Sequence, residues 1–338
     1  MLRPLALRSL ASVGTIAVGV LMASSGLAQE MPGNGVTVQP IKSPPMNSWL
    51  WHQVVNLGLE ELGYEVAEMR EADFPVLHLA VGQGDADYTA NNWKPLHDAF
   101  YEKAGGEKTM VRAGPITSNA GQGYYVDKAT ADKYGITNLA QLTDPKIAAL
   151  FDTDGDGLAN LAGCNPGWGC EAVIEHQLDA FGLRDTVEHD QGSYSAIIAD
   201  TVARYRNGEP ILYYTWSPNW VGDILVPGED TTQLSVPFSA MPNDPDADTE
   251  QENGFNPGFA VNDVYILANR EFYENNPAAA TFFEHVKIPL NDVNAAQLAI
   301  YNGADSDSDL LNQARAWVAY HRETFDEWLE AAREAARD

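Results

Sequence analysis

Between residues 35 and 93, and again between 124 and 216, short apolar runs alternate with segments of helical periodicity. No other feature of this chain restricts its fold as much. Residues 35–41 read as a strand, 47–62 as a helix stopped at Gly63, 64–67 as a strand, 74–83 as a helix and 88–93 as a strand. After Gly121-Gln-Gly123 the pattern starts afresh. It gives a strand at 124–126, helical pieces at 129–134, 139–142 and 145–151, a helix over 171–181, a strand at 187–190, a helix at 194–206 and a strand at 211–216. Strands joined through helices run parallel, because the crossover carries the chain back before the next strand begins. The expected class is therefore α/β.

Both sets contain one unit, a helix, a glycine-acid turn, a strand and a tryptophan: Gly84-Asp85 leads to Trp93, and Gly208-Glu209 leads to Trp216. A chain of 338 residues has room for about two domains at roughly 150 residues each. The acidic, proline-containing stretch 242–257 reads as a passage between them. Beyond it come a strand at 264–268, a helix at 277–286 and an amphipathic helical region at 310–337. Lobe 1 is expected from residues 31–122 plus 258–338 and lobe 2 from 123–257, each a mainly parallel sheet flanked by helices. Two such lobes joined by more than one crossover make a clamshell that closes on ligands.

Residues 1–28 read as a secretory signal peptide. Arg3 and Arg8 stand without an acid, an apolar run at 10–22 is too short to span a bilayer, and Gly26-Leu27-Ala28 is a small-x-small cleavage site. No cysteine follows that site, so no lipid anchor is expected, and the mature chain is expected in the periplasm. The formal charge of -28 deepens to -30 when the two leader arginines are lost. Such a surface excludes binding to a phosphate backbone, which needs clustered Lys and Arg. It also suits solubility in high external salt, which points to a saline habitat.

Both cysteines lie in Gly163-Cys164-Asn-Pro-Gly-Trp168-Gly169-Cys170-Glu171. In an oxidising compartment the expected state is a Cys164–Cys170 disulfide. Closing so small a ring contributes about 2 kcal/mol, so its role is to fix the loop's shape. Zinc is not expected, since two thiolates at this spacing lack the other ligands of a structural site.

Of eight tryptophans, Trp49, Trp51, Trp317 and Trp328 lie in helical segments and read as packing. Trp93 and Trp216 end strands, and ligand crevices in open α/β sheets lie outside the carboxyl ends of strands. Trp168 is presented by a glycine-flanked loop. Three such rings make a box for a quaternary ammonium, which is recognised through ring quadrupoles; sugar stacking is the main competing use. Gly169 and Cys170 open the helix that follows, so their N–H groups form an anion subsite unless Asn165 or a water caps them. His97, four residues past Trp93, is either a donor to the same anion or a packed histidine.

Asp152, Asp154 and Asp156, with Gly157 and with Asn160 at the ninth position, follow a calcium-loop pattern, although Gly163 replaces the bidentate glutamate at the twelfth. A structural calcium beside the cysteine loop and a loop built of Asx turns are the two readings. No cofactor is required in either. The sequence contains no G-x-S-x-G, H-E-x-x-H or P-loop, so an enzyme is not expected.

The motifs Asn92-Trp93-Lys-Pro-Leu-His97-Asp98, Leu150-Phe-Asp-Thr-Asp-Gly-Asp156, Gly163 to Glu171, Tyr213-Tyr-Thr-Trp216 and Asn275-Asn-Pro-Ala-Ala-Ala280 occur in this order. Together they closely resemble the periplasmic glycine betaine/proline betaine-binding receptors of ABC importers, over nearly the whole mature chain. The resemblance implies a type II periplasmic-binding-protein clamshell, monomeric, that delivers its ligand to a membrane permease and its ATPase subunit. It implies that Trp93, Trp168 and Trp216 surround the trimethylammonium group, and that the Gly169 and Cys170 amides with His97 hold the carboxylate. All six positions match. The departures are the Pro44-Pro45 segment and the acidic surface. The rival readings are a choline or carnitine receptor and, in another class, a calcium-dependent secreted hydrolase or lectin using the Asp152 loop.

Overall fold

The computed structural model describes residues 31–44 and 48–337; the signal-peptide reading, Pro45 and Asn47 lie outside them. Pro40, which has no N–H to give a ladder, divides the first strand run into β1 (Thr37–Val38) and β2 (Ile41–Lys42). Helix α1 (Trp49–Glu61) buries Leu50, Trp51, Val54, Val55 and Leu59, an i, i+1, i+4, i+5 set on one face. Just beyond it Gly63, at φ 92°, takes the left-handed conformation that ends the turn. Strands β3 (Glu65–Val66) and β4 (Arg70–Glu71) then pair parallel with β1 and β2. Helix α2 (Phe74–Gln83) ends at left-handed Gly84 and feeds β5 (Tyr88–Lys94), buried along its length up to Trp93.

After α3 (Asp98–Lys103) comes β6 (Met110–Asp127), eighteen residues long, of which the sequence pattern shows only 124–126. Gly114, Pro115, Gly121 and Gly123 give this stretch the look of a loop, and pairing along both of its edges overrides that local preference. Helices α4 (Lys128–Tyr134) and α5 (Pro145–Ala148) lead to β7 (Ala159–Ala162), α6 (Gly169–Ala180), β8 (Val187–Asp190), α7 (Tyr194–Arg206) and β9 (Leu212–Ser217). A short helix α8 (Val221–Ile224) precedes β10 (Thr231–Leu234), and the polar stretch 242–257 carries the chain without helix or strand towards β11 (Asn262–Asn269).

The main sheet has the order β5-β11-β6-β9-β7-β8, with β10 also on β6. Parallel ladders form where helices connect strands, at β7–β8 and β7–β9. The pairs made by β6, β10 and β11 are antiparallel, so the seven-stranded sheet as a whole is mixed. Strand β6 pairs with β11 over 110–120 and with β9 from Gly121 on, which makes it continuous through the point where a passage into the second lobe is expected.

The C-terminal region comprises α9 (Arg270–Asn275), α10 (Pro277–His285), α11 (Leu290–Tyr301), α12 (Asp307–Tyr320) and α13 (Arg322–Ala335). The run read as one helical region is two helices parted at His321, whose backbone (φ -100°, ψ 23°) leaves the helix. Trp317 and Trp328 stack across that break at 6.4 Å and pack against the core. Trp51 is buried and its Nε1 donates to Thr117 Oγ1 at 2.8 Å, while Trp49 lies under Lys42 Nζ at 5.3 Å. Trp51, Trp317 and Trp328 are packing residues, as their helical positions imply, whereas Trp49 is half-buried and lies outside the core cluster.

Candidate functional site

Strands β5 and β9 deliver the first two rings. Trp93 and Trp216 stand at the carboxyl ends of these strands, and each is followed one residue later by a cis-proline bond, Lys94–Pro95 and Ser217–Pro218. The third ring, Trp168, immediately precedes α6 and belongs to the loop closed by the Cys164–Cys170 disulfide. The base of that loop rests on His189: a Cβ on Gly163 would fall 1.8 Å from His189 Nε2, so only glycine fits. That Nε2 accepts the Cys164 N–H at 3.3 Å, which leaves the imidazole proton on Nδ1, 2.8 Å from Glu175 Oε1. Burial lowers the His189 pKa against the pull of Glu175, so the neutral ring needed for this contact is favoured.

Trp93, Trp168, Trp216, His97, Gly169 and Cys170 all line one cavity. The three indoles are 6 %, 6 % and 8 % exposed, and Trp168 meets Trp216 edge to face at 5.9 Å and 71°. Trp93 Nε1 donates to Asn91 Oδ1 at 2.8 Å, which fixes its ring. The Nε1 atoms of Trp168 and Trp216 are buried without a partner among the described residues. Tyr194 backs the box, 4.5 Å from Trp216 between centroids, with its hydroxyl donating to Thr215.

At the start of α6 no side chain caps the helix, and among the described residues the Gly169 and Cys170 N–H groups have no hydrogen bond. Asn165, the alternative cap, is engaged elsewhere: its Oδ1 accepts the Tyr194 N–H at 2.9 Å. The capping alternative is thereby corrected as far as Asn165 is concerned. A Cβ on Gly169 would lie 2.7 Å from Leu96 Cγ, so glycine is what lets the helix start seat against Leu96. His97 is 2 % exposed, packed on Phe74 at 4.3 Å and edge-on to His78. Its Nδ1 accepts the Trp93 N–H at 3.2 Å, so the proton sits on Nε2. Burial, with His78 and Arg112 adding to it, holds its pKa well below 6.5, and the ring is a neutral donor.

The cavity therefore joins three aromatic faces to a set of unpaired N–H donors. Asn91, Gln122, Tyr214, Phe74 and Leu96 also line it and were not singled out from the sequence. Gln122 lies on the part of β6 that reads as a loop, and Asn91 shows only as a strand residue.

The carboxylates of Asp152, Asp154 and Asp156 come within 4.8 Å of one another. They also accept local backbone N–H groups: Asp152 from Gly155 and Gly157, Asp154 from Asp156, and Asp156 from Leu158. Asn160, expected as a fourth ligand, does not join them. Its Oδ1 accepts from the Thr153 N–H and hydroxyl, and its Nδ2 donates to Glu188 and Asp190. The Asx-turn reading describes the loop's hydrogen bonds.

Residues 37–319 match the family model of the substrate binding domain of ABC-type glycine betaine transport systems. The chain belongs to this family. It is 48 % identical over 329 residues to the glycine betaine-binding periplasmic protein OusX of Dickeya dadantii (strain 3937), with 96 % of this chain and 99 % of that protein covered. It is 47 % identical over 316 residues to the glycine betaine/proline betaine-binding periplasmic protein of Escherichia coli (strain K12), covering 94 % and 96 %. The fold is shared with lactococcal OpuAC in its closed conformation complexed with glycine betaine (TM-score 0.66, 18 % identity, 87 % of this chain and 99 % of that one). It is shared also with an ABC-transporter choline-binding protein in complex with choline (TM-score 0.69, 18 % identity, 89 % and 98 %). As a family member the chain has the periplasmic-binding-protein fold and the role of a substrate-binding domain of ABC-type glycine betaine transport.

Proposed function

We propose that this chain is a periplasmic receptor that captures glycine betaine or proline betaine and delivers it to the permease and ATPase of an ABC importer. The observation that carries the reading is the cavity's division of labour: three buried indole faces suit a trimethylammonium group, and the unpaired Gly169 and Cys170 backbone N–H groups with the His97 Nε2–H suit a carboxylate. The names of the relatives agree with it. Three desolvated cation–π contacts contribute about 6 kcal/mol, and each charge-assisted hydrogen bond about 1.5 to 3 kcal/mol before ordering costs. A net near 8 kcal/mol corresponds to about micromolar binding.

The proposal includes two lobes, 31–122 with 258–338 and 123–257. Trp93 and His97 then come from the first, and Trp168, Gly169, Cys170 and Trp216 from the second. A ligand that touches both sets favours the closed state by its differential affinity. Capture needs no chemical step and no cofactor, and a calcium ion on Asp152, Asp154 and Asp156 would brace the loop without touching the ligand. Choline lacks a carboxylate and leaves donors unpaired, so it is the weaker ligand. Calorimetric titration with glycine betaine and with choline tests the reading: tighter binding of glycine betaine is expected, and equal or reversed affinities overturn it.

A further inference from the structure

We propose that Gln122 is a specificity-determining residue whose side-chain amide donates a hydrogen bond to the ligand's carboxylate; this deepens the betaine reading above and rests on it. Gln122 stands opposite Trp216 in the β6–β9 ladder, lines the cavity and is 4 % exposed. The Tyr214 hydroxyl lies 2.6 Å from its Oε1. That separation suits O–H···O and is shorter than N–H···O bonds normally reach, so the amide oxygen faces Tyr214 and the NH2 group faces away from it. Nε2 is buried and has no partner among the described residues.

A buried donor without an acceptor is costly, and no group of the described lining is hydrogen-bonded to this one. Asn91 Oδ1 already accepts from Trp93 Nε1, and Gln122 Oε1 from Tyr214. The other unpaired side-chain polar atoms in the lining, Trp168 Nε1 and Trp216 Nε1, are donors too. A ligand carboxylate brings the acceptor that Gln122 lacks. A carboxylate offers about four lone-pair sites; Gly169, Cys170 and His97 fill three, and the fourth is assigned to Gln122, since the indoles of Trp168 and Trp216 offer their faces to the cation. The single hydroxyl oxygen of choline has no capacity left for Gln122. Gln122 thus favours betaines over quaternary amines that lack a carboxylate.

The test is calorimetric titration of the mature wild type and Gln122→Met with glycine betaine and with choline. The variant is expected to lower the ratio of glycine betaine to choline affinity by about tenfold or more, the loss of one charge-assisted hydrogen bond. A Gln122→Met/Tyr214→Phe double variant removes the hydroxyl left without its acceptor. It should show the same fall in ratio with thermal stability nearer that of wild type, which separates donor loss from misfolding. An unchanged ratio in both variants overturns the inference while leaving the betaine reading intact. Failure of the wild type to bind glycine betaine overturns both.

Discussion

His97 Nδ1 accepts the backbone N–H of Trp93 at 3.2 Å, so a residue that gives the cavity one of its aromatic walls also dictates which imidazole nitrogen carries the proton. An aromatic wall and a neutral imidazole donor are thus built on one five-residue stretch that begins at the end of β5. Its counterpart is the pair formed by Trp168 and the start of α6, where a ring and two free N–H groups are adjacent in sequence.

Trp216→Ala should weaken glycine betaine binding by about 2 kcal/mol, the contribution of one desolvated ring face. Calorimetry on folded protein, with denaturant unfolding alongside, checks this. Lower stability with unchanged affinity would mean that Trp216 only packs.

Gly169→Ala should reduce affinity by at least about tenfold, because the added Cβ would sit 2.7 Å from Leu96 Cγ and 3.0 Å from Leu96 O and push the helix start away from the cavity. Gly222→Ala, whose Cβ meets nothing within 4 Å, serves as the comparison and should leave affinity unaltered. Equal affinities for the two variants would contradict the close approach at Leu96.

Stability should fall as pH drops from about 6.5 towards 4. His52 and His78 are pushed down to about 4 by burial, and His97 and His189 are also lowered. In that window the unfolded chain binds protons that the folded one refuses, so stability is full above 6.5 and is lost on acidification, roughly 3 kcal/mol for each of His52 and His78 once pH is below 4. Scanning calorimetry between pH 7 and pH 4.5 reads this directly. A melting temperature that stays flat would show these imidazoles to be accessible to protons in the folded state.

Chelation should leave ligand affinity unchanged, because no carboxylate of the Asp152 loop lines the cavity. Added calcium should raise the melting temperature by binding the folded loop alone. Loss of glycine betaine binding with a chelator would instead make the loop part of the site.

The elements set by local pattern were legible in the sequence. Helix α2 and helix α7 carry their periodicity and their stops, and β5 and β9 end in the tryptophans that a strand-end argument singles out. What depends on distant partners was not. Strand β6 is held by β11, more than a hundred residues away, and its glycines and Pro115 conceal it, so Gln122 passed unnoticed. Asn160 fits a ligand spacing, but spacing cannot show that its oxygen is already bonded to Thr153. Asn165 is the same kind of case, its oxygen being held by the Tyr194 N–H.

The central claim is that one cavity with three indole walls and an uncapped helix start binds a zwitterion with a trimethylammonium head. Titration of the purified chain with glycine betaine, followed by tryptophan fluorescence, tests it most directly. The account predicts a saturable one-to-one response with Kd near about 1 µM. No saturable response below about millimolar ligand, the range of contacts far weaker than three ring faces provide, would contradict it.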